Sequence, residues 1–218
     1  IRMLTEHSHL KEGSENEFET VTEDETLNSM VPLWKKSASE VTEEEYAQFY
    51  QDKYFDYEAP LRVIRQKAEG TSNFEALMFI PTHAPFDYYS KDFEKGLQLY
   101  SSGVLIMEKC KDLLPDHFSF VRGLVDSSDL SLNISREMLQ HDRQLNMIKS
   151  NLEKKIKAEL LRLMEEEPET YGEFYRNFGR QLKYGIVEDY GMKAELLKDL
   201  IMFHSYEKDE PITLKSYV

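Results

Sequence analysis

The sequence predicts an α/β fold: a layered α-β-α domain followed by a three-helix coil. Three observations carry the prediction. Strand-like apolar runs alternate with helical-period segments from Thr42 to Asp126. One run, ALMFI within Phe74 to Pro81, is continuous rather than alternating, so its strand is covered on both faces and helices must supply the cover. Beyond Met138, apolar residues recur at helical spacing through most of the remaining chain.

The elements follow in order. Leu4 to Thr26 holds eight acidic residues against the single base Lys11, the composition of a solvated, self-repelling linker. His7 and His9 form an H-x-H pair, but two ligands without a third do not make a metal site, and no metal is expected. Around Met30 to Trp34 the composition turns apolar, which places the start of the globular part there. Thr42 and Glu45 form a capping box ahead of Tyr46, Phe49 and Tyr50, with Ser39 a competing start. Leu61 to Glu69 and Phe74 to Pro81 read as a hairpin around Gly70 to Asn73. Thr82 to Ser90 is an ordered loop, Leu97 to Met107 a third strand, Lys109 to Phe118 a short helix ending near Pro115, and Ser119 to Asp126 a fourth strand. One long helix is expected from Arg136 to about Glu167, closed by Pro168. Tyr171 to Tyr184 and Met192 to His204 complete the coil, with Gly185 and Gly191 as breaks.

Bulk properties exclude several function classes. A net charge of -14 argues against a nucleic-acid partner, since phosphate backbones are bound by Lys and Arg. The single cysteine, Cys110, excludes an internal disulfide and reads as an inert core residue of a reducing compartment. No apolar run approaches the length of a membrane span. There is no GxxxxGK[ST] or GxGxxG, so no nucleotide pocket is expected within these residues. His83, His117, His141 and His204 are dispersed without a nucleophile motif, and Asp126 with Asp129 reads as loop capping rather than an acid/base pair. Ile1 opens the chain without an initiator Met and LKSYV closes it on a run suited to entering another element, so the chain reads as a piece of a longer protein.

The stretch from Asp126 to Ser150 carries the functional argument. Its Asp-, Ser- and Asn-rich first half favours loop, and Ser135 is placed to cap the helix that Arg136 opens. A cation in a first turn opposes the helix dipole by a few tenths up to about 1 kcal/mol, so it gains nothing locally unless an anion is brought to that end. Gln140 falls on the same face four residues on. Two readings stand: Arg136 meets a phosphate, or it pairs with Asp126, Asp129 or Glu137. Trp34 either anchors the incoming chain or serves as a contact point, and Phe86 either plugs the core or faces a partner.

FVRGLVDSSDLSLNISREMLQ, Phe120 to Gln140, resembles the catalytic-loop signature of the middle domain of the heat shock protein 90 chaperones, in their bacterial form. PLWKK, TEEEYAQFY and LMFIPTHAPFD match in the same order. Gly103 stands where the family commonly has arginine, and Ser131 where many relatives have proline. The resemblance implies a fold like ribosomal protein S5 domain 2 for the layered part. It divides the chain into the end of an ATP-binding domain at 1–3, the acidic linker at 4–27, the α/β part with the catalytic loop at 28–140, the coil at 141–204 and a connection at 205–218. It implies a segment of an ATP-dependent chaperone in which Arg136, assisted by Gln140, reaches the γ-phosphate of ATP, with Mg, bound by the N-terminal domain of the same chain. The full-length protein would be a cytoplasmic, homodimeric ATPase of the stress response, while this segment alone would be monomeric and inactive. Trp34 and Phe86 would contact non-native client proteins, cochaperones or the neighbouring domain. The alternative is a client- or cochaperone-binding module without a catalytic contribution.

Overall fold

The computed structural model describes residues 2–10, 18–26, 31–130, 142–188, 190–206 and 211–217. The chain divides into two compact units, Ile1–Val41 and Thr42–Val218.

In the first unit, strands β1 (Arg2–Leu10) and β2 (Phe18–Thr26) pair antiparallel, from Arg2 opposite Thr26 to Leu10 opposite Phe18. Acidic composition predicted a solvated linker here, so the paired strands are a difference. The register accounts for part of it. Glu6 lies opposite Thr22, Glu19 opposite His9, and Glu23, Asp24 and Glu25 opposite Thr5, Leu4 and Met3, so no two acids are cross-strand partners. Three threonines and a valine on β2 also favour extended backbone. Further on, Pro32 precedes a 3-10 turn, Leu33–Lys35, that carries Trp34.

The second unit opens with helix α1, Glu43–Tyr54. Its capping box is present: Thr42 Oγ1 accepts from Glu45 N–H at 3.2 Å and Glu45 Oε2 accepts from Thr42 N–H at 2.9 Å. Ser39 does not start this helix. It belongs to a preceding 3-10 turn, Ala38–Glu40, capped by Ser37.

Five strands form the sheet: β3 (Arg62–Ala68), β4 (Phe74–Ile80), β5 (Leu97–Ser101), β6 (Val104–Cys110) and β7 (Arg122–Ser127), in the order β3-β4-β7-β5-β6. Only the β5–β7 pairing is parallel. Strand β4 shows why both faces must be covered. Phe74, Ala76, Met78 and Ile80 enter the main core, while Phe79 faces the other way and meets Phe49, Tyr50 and Tyr54 of α1 at ring distances of 6.1, 5.3 and 6.3 Å.

The span predicted as one strand, Leu97 to Met107, is a hairpin. Ser102 and Gly103 both take positive φ, 50° and 81°, the pattern of a two-residue turn that joins twisted antiparallel strands. The short helix predicted at Lys109 to Phe118 is absent. Cys110 ends β6, and two 3-10 turns, Lys111–Leu113 and Asp116–Phe118, flank Pro115, whose ring and missing N–H do not suit a helix interior.

Helix α2 (Arg143–Glu166) and helix α3 (Pro168–Val187) cover the main-core face of the sheet. Leu145, Ile148, Leu152, Ile156, Leu160 and Leu163 form the buried stripe of α2, each worth about 1.5–3 kcal/mol when fully buried. The long helix predicted from Arg136 begins instead at Arg143, because Asp142 is extended and caps it through Gln144 and Leu145 N–H at 2.7 and 3.1 Å. Ser135, the expected cap, lies outside the described residues. Glu167 and Pro168 mark the end of α2 as predicted, while α3 opens at Pro168, three residues before the predicted start at Tyr171. Gly185 is not a break: it is buried inside α3, where a Cβ would stand 2.4 Å from His117 Cβ, so it permits close approach of helix and loop.

The third member of the coil is shorter than Met192 to His204 predicted. It consists of one α turn, α4 (Ala194–Leu197), and a 3-10 turn, Lys198–Leu200. Leu197, Leu200 and Ile201 fill the core, and the chain then becomes extended as β8 (Met202–Phe203), which pairs with β9 (Ile212–Thr213) ahead of a final turn, α5 (Leu214–Tyr217).

Candidate functional site

Strand β7 is central in the sheet, and Gly123 to Ser127 are buried along it. Its C-terminal end is where the sequence placed the functional loop, and four hydrogen bonds fasten it. The Asp126 carboxylate, 1 % exposed, accepts from Gly103 N–H at 3.0 Å, tying the β5–β6 turn to β7. Ser101 Oγ donates to the carbonyl of buried Leu130 at 2.6 Å. Asp129 accepts from Asn73 N–H at 2.6 Å and from Asn73 Nδ2 at 3.1 Å, which holds its carboxyl below the usual range. Asp126 and Asp129 therefore both act in loop capping, as their surroundings in the sequence suggested.

Arg136 and Gln140 lie outside the described residues, as does Ser131. What the structure supplies is their frame, with Leu130 fastened on one side and the Asp142 cap on the other. The described helix has no acid in its first turn, and the cation at that end is Arg143.

Phe86 does not plug the core. It is fully exposed, at the tip of a loop that is itself held firmly. Thr82 Oγ1 donates to Ala59 O at 2.8 Å, and Asn177 Nδ2 donates to Thr82 O at 3.3 Å. Past the tip, Tyr88 OH shares a hydrogen bond with Ser119 Oγ at 2.8 Å and Tyr89 OH donates to Asn177 O at 2.6 Å. His83 adds a further tie, with its ring stacked on Tyr57 at 5.1 Å, Nδ1 3.4 Å from Glu58 and Nε2 3.6 Å from Asp56. Trp34 belongs to the first unit and is partly exposed.

Asp56 anchors a polar cluster beside this loop that the sequence did not reveal. Its side chain is 7 % exposed, accepts from Tyr50 OH at 2.7 Å and lies 3.9 Å from Arg122, whose guanidinium sits 5.4 Å from the Tyr54 ring centre. Burial, reinforced by Asp56, pushes the Tyr50 phenol far up. Asn73 was missed as well: it read only as a turn residue, and its partner lies 56 positions away.

A cavity of about 560 Å³ lies among Leu161, Met164, Tyr171, Met202 and Ile212. Its wall carries both signs of charge, Glu165 and Asp199 beside Lys215. Cys110 is buried, and desolvation raises its thiol, as expected of an inert core residue. Among the described residues, no helix is long and apolar enough to cross a membrane.

The family model described as Hsp90 protein matches residues 3–218. The chaperone protein HtpG of Bacillus subtilis is 55% identical over all 218 residues, which span 35% of that protein. HtpG of Oceanobacillus iheyensis and of Clostridium acetobutylicum are each 53% identical, again over the whole chain and 35% of the relative. The chain thus spans about a third of the length of the relatives it matches. The middle domain of a heat shock protein of Plasmodium falciparum superposes with a TM-score of 0.75 at 28% identity, covering 86% of this chain and 73% of that one. With the α/β architecture described above, these likenesses establish that the chain belongs to the Hsp90 chaperone family and has the fold of that family's middle domain.

Proposed function

We propose that this chain is the middle segment of an ATP-dependent chaperone and supplies Arg136, assisted by Gln140, to the γ-phosphate of ATP held with Mg by another domain of the full-length protein. The observation that carries the reading is the position of the SREMLQ run: it begins five residues after Leu130, where the chain leaving β7 is fastened, within a chain of this family. A guanidinium brought to the phosphate offsets the charge that shifts as the bond breaks. In other phosphoryl-transfer systems an arginine supplied in this way is worth roughly 10³ to 10⁵ in rate.

The test uses the full-length protein and the isolated segment. Arg136→Ala lowers ATP turnover roughly 10³-fold while nucleotide affinity holds. The segment alone hydrolyses no ATP and runs as a monomer in light scattering. Unchanged turnover in the variant removes Arg136 from the mechanism.

A second role is favoured by Phe86, a fully exposed ring on a loop fastened at both sides of its tip. A rigid apolar projection loses little entropy on docking, which suits contact with non-native clients, cochaperones or the neighbouring ATP-binding domain in a cytoplasmic homodimer. Trp34 is assigned to the same role. Client titration separates the two: binding that survives Phe86→Ala and Trp34→Ala excludes both rings.

A further inference from the structure

The turn between β3 and β4 is bonded to the root of the Arg136 loop through one residue, Asn73. All four of its hydrogen-bonding groups are engaged. Its Oδ1 accepts from Gly70 N–H at 3.0 Å, which closes the turn. Its backbone N–H and Nδ2 both donate to the Asp129 carboxylate, one to each oxygen, and its carbonyl accepts from Ser127 Oγ at 2.7 Å. Ser127 Oγ in turn accepts from Asp129 N–H at 3.3 Å, so Asn73, Ser127 and Asp129 form a closed ring of hydrogen bonds. Asp129 is exposed, and its two-pronged grip contributes direction rather than core packing.

We propose that Asn73 and Asp129 are positioning residues for the phosphate-directed arginine, fixing the direction in which the chain leaves β7 seven residues before Arg136. The proposal rests on the reading of Arg136 given above. A charge-assisted, two-pronged contact removes rotational freedom at the root of the loop that carries the arginine. Misplacement by about 1 Å costs up to roughly a hundredfold in rate where geometry governs the step. Neither residue touches the reacting atoms, so their effect appears in turnover and not in nucleotide affinity.

The experiment takes the full-length protein with Asp129→Ala, Asn73→Ala, the double variant and Arg136→Ala, measuring ATP turnover at saturating nucleotide, nucleotide Kd and thermal midpoint. Each single variant is expected to lose about tenfold in turnover with Kd unchanged. Asn73→Ala keeps the backbone N–H that donates to Asp129, whereas Asp129→Ala loses both bonds, so the double variant is expected to be no worse than Asp129→Ala alone. Asp129→Asn, which keeps an acceptor for the Asn73 N–H, recovers part of the loss. If Arg136→Ala abolishes turnover but Asp129→Ala and Asn73→Ala match the parent, the positioning role is overturned while the arginine's role stands. Losses that multiply in the double variant, or that only track a lowered midpoint, overturn it as well. If Arg136→Ala itself leaves turnover intact, the underlying reading fails, whatever the clamp variants do.

Discussion

The His117 ring, 1 % exposed, lies 3.2 Å from the Glu153 carboxylate, so a residue of the loop before β7 meets the middle of α2. Lys193 stands 3.6 Å from the same carboxylate oxygen. Burial alone would raise Glu153; His117 and Lys193 outweigh it and hold the carboxyl below its usual value.

That shift sets a pH dependence. Glu153 is depressed in the folded state, so its contribution is fully present above the ordinary glutamate pKa, about 4.3, and is lost as pH falls through the lower folded value. Denaturant midpoints measured between pH 7 and pH 3 are expected to fall in the acid range. Glu153→Gln flattens that part of the curve.

Gly185→Ala is expected to destabilise the unit by about 1–3 kcal/mol. The new methyl would stand 2.4 Å from His117 Cβ and 3.0 Å from Leu197 Cδ1, so the loop or the helix must move. Chemical denaturation reads this directly. A stabilised variant, the usual result of Gly→Ala in a helix interior, would contradict the close approach.

Tyr50→Phe removes the hydroxyl that donates to nearly buried Asp56. Leaving that acceptor short of a donor costs about 1–3 kcal/mol. The loss is expected in urea melts, and it should be smaller in the background of Asp56→Ala, where the partner is already gone.

Phe86→Ala should leave stability within about 0.5 kcal/mol, since its ring is fully exposed and packs on nothing that folding requires. Any loss of client or interdomain binding in this variant is then a surface effect. A large drop in melting temperature would show the ring to be structural after all.

Where local chemistry decides, the sequence was legible. The capping box at Thr42 and Glu45, the β3–β4 hairpin, the doubly covered ALMFI strand and the Glu167-Pro168 junction were all readable from neighbouring residues. Misreadings arose where a short-range signal had two outcomes. Ser102-Gly103 inside an apolar run could be a kink or a turn, and its positive φ values decide for a turn. Gly185 could end a helix or admit a neighbour, and only the approach of His117 distinguishes them. Helical periodicity from Met138 onward hid the helix start at Arg143, because apolar spacing does not register a capping residue such as Asp142. The bond from Asn73 to Asp129 was invisible for a different reason: its partners meet only after β7 has paired with β4.

Strand β7 inserts between β4 and β5 although it follows both in the chain. During synthesis the two earlier hairpins therefore wait with open edges until residues 122–127 arrive and join them. Such non-local closure slows folding and leaves unpaired edges available to other chains in the interim. A nascent polypeptide halted just before Arg122 would be the species most in need of protection from aggregation, so this segment would itself depend on help of the kind its family gives to others.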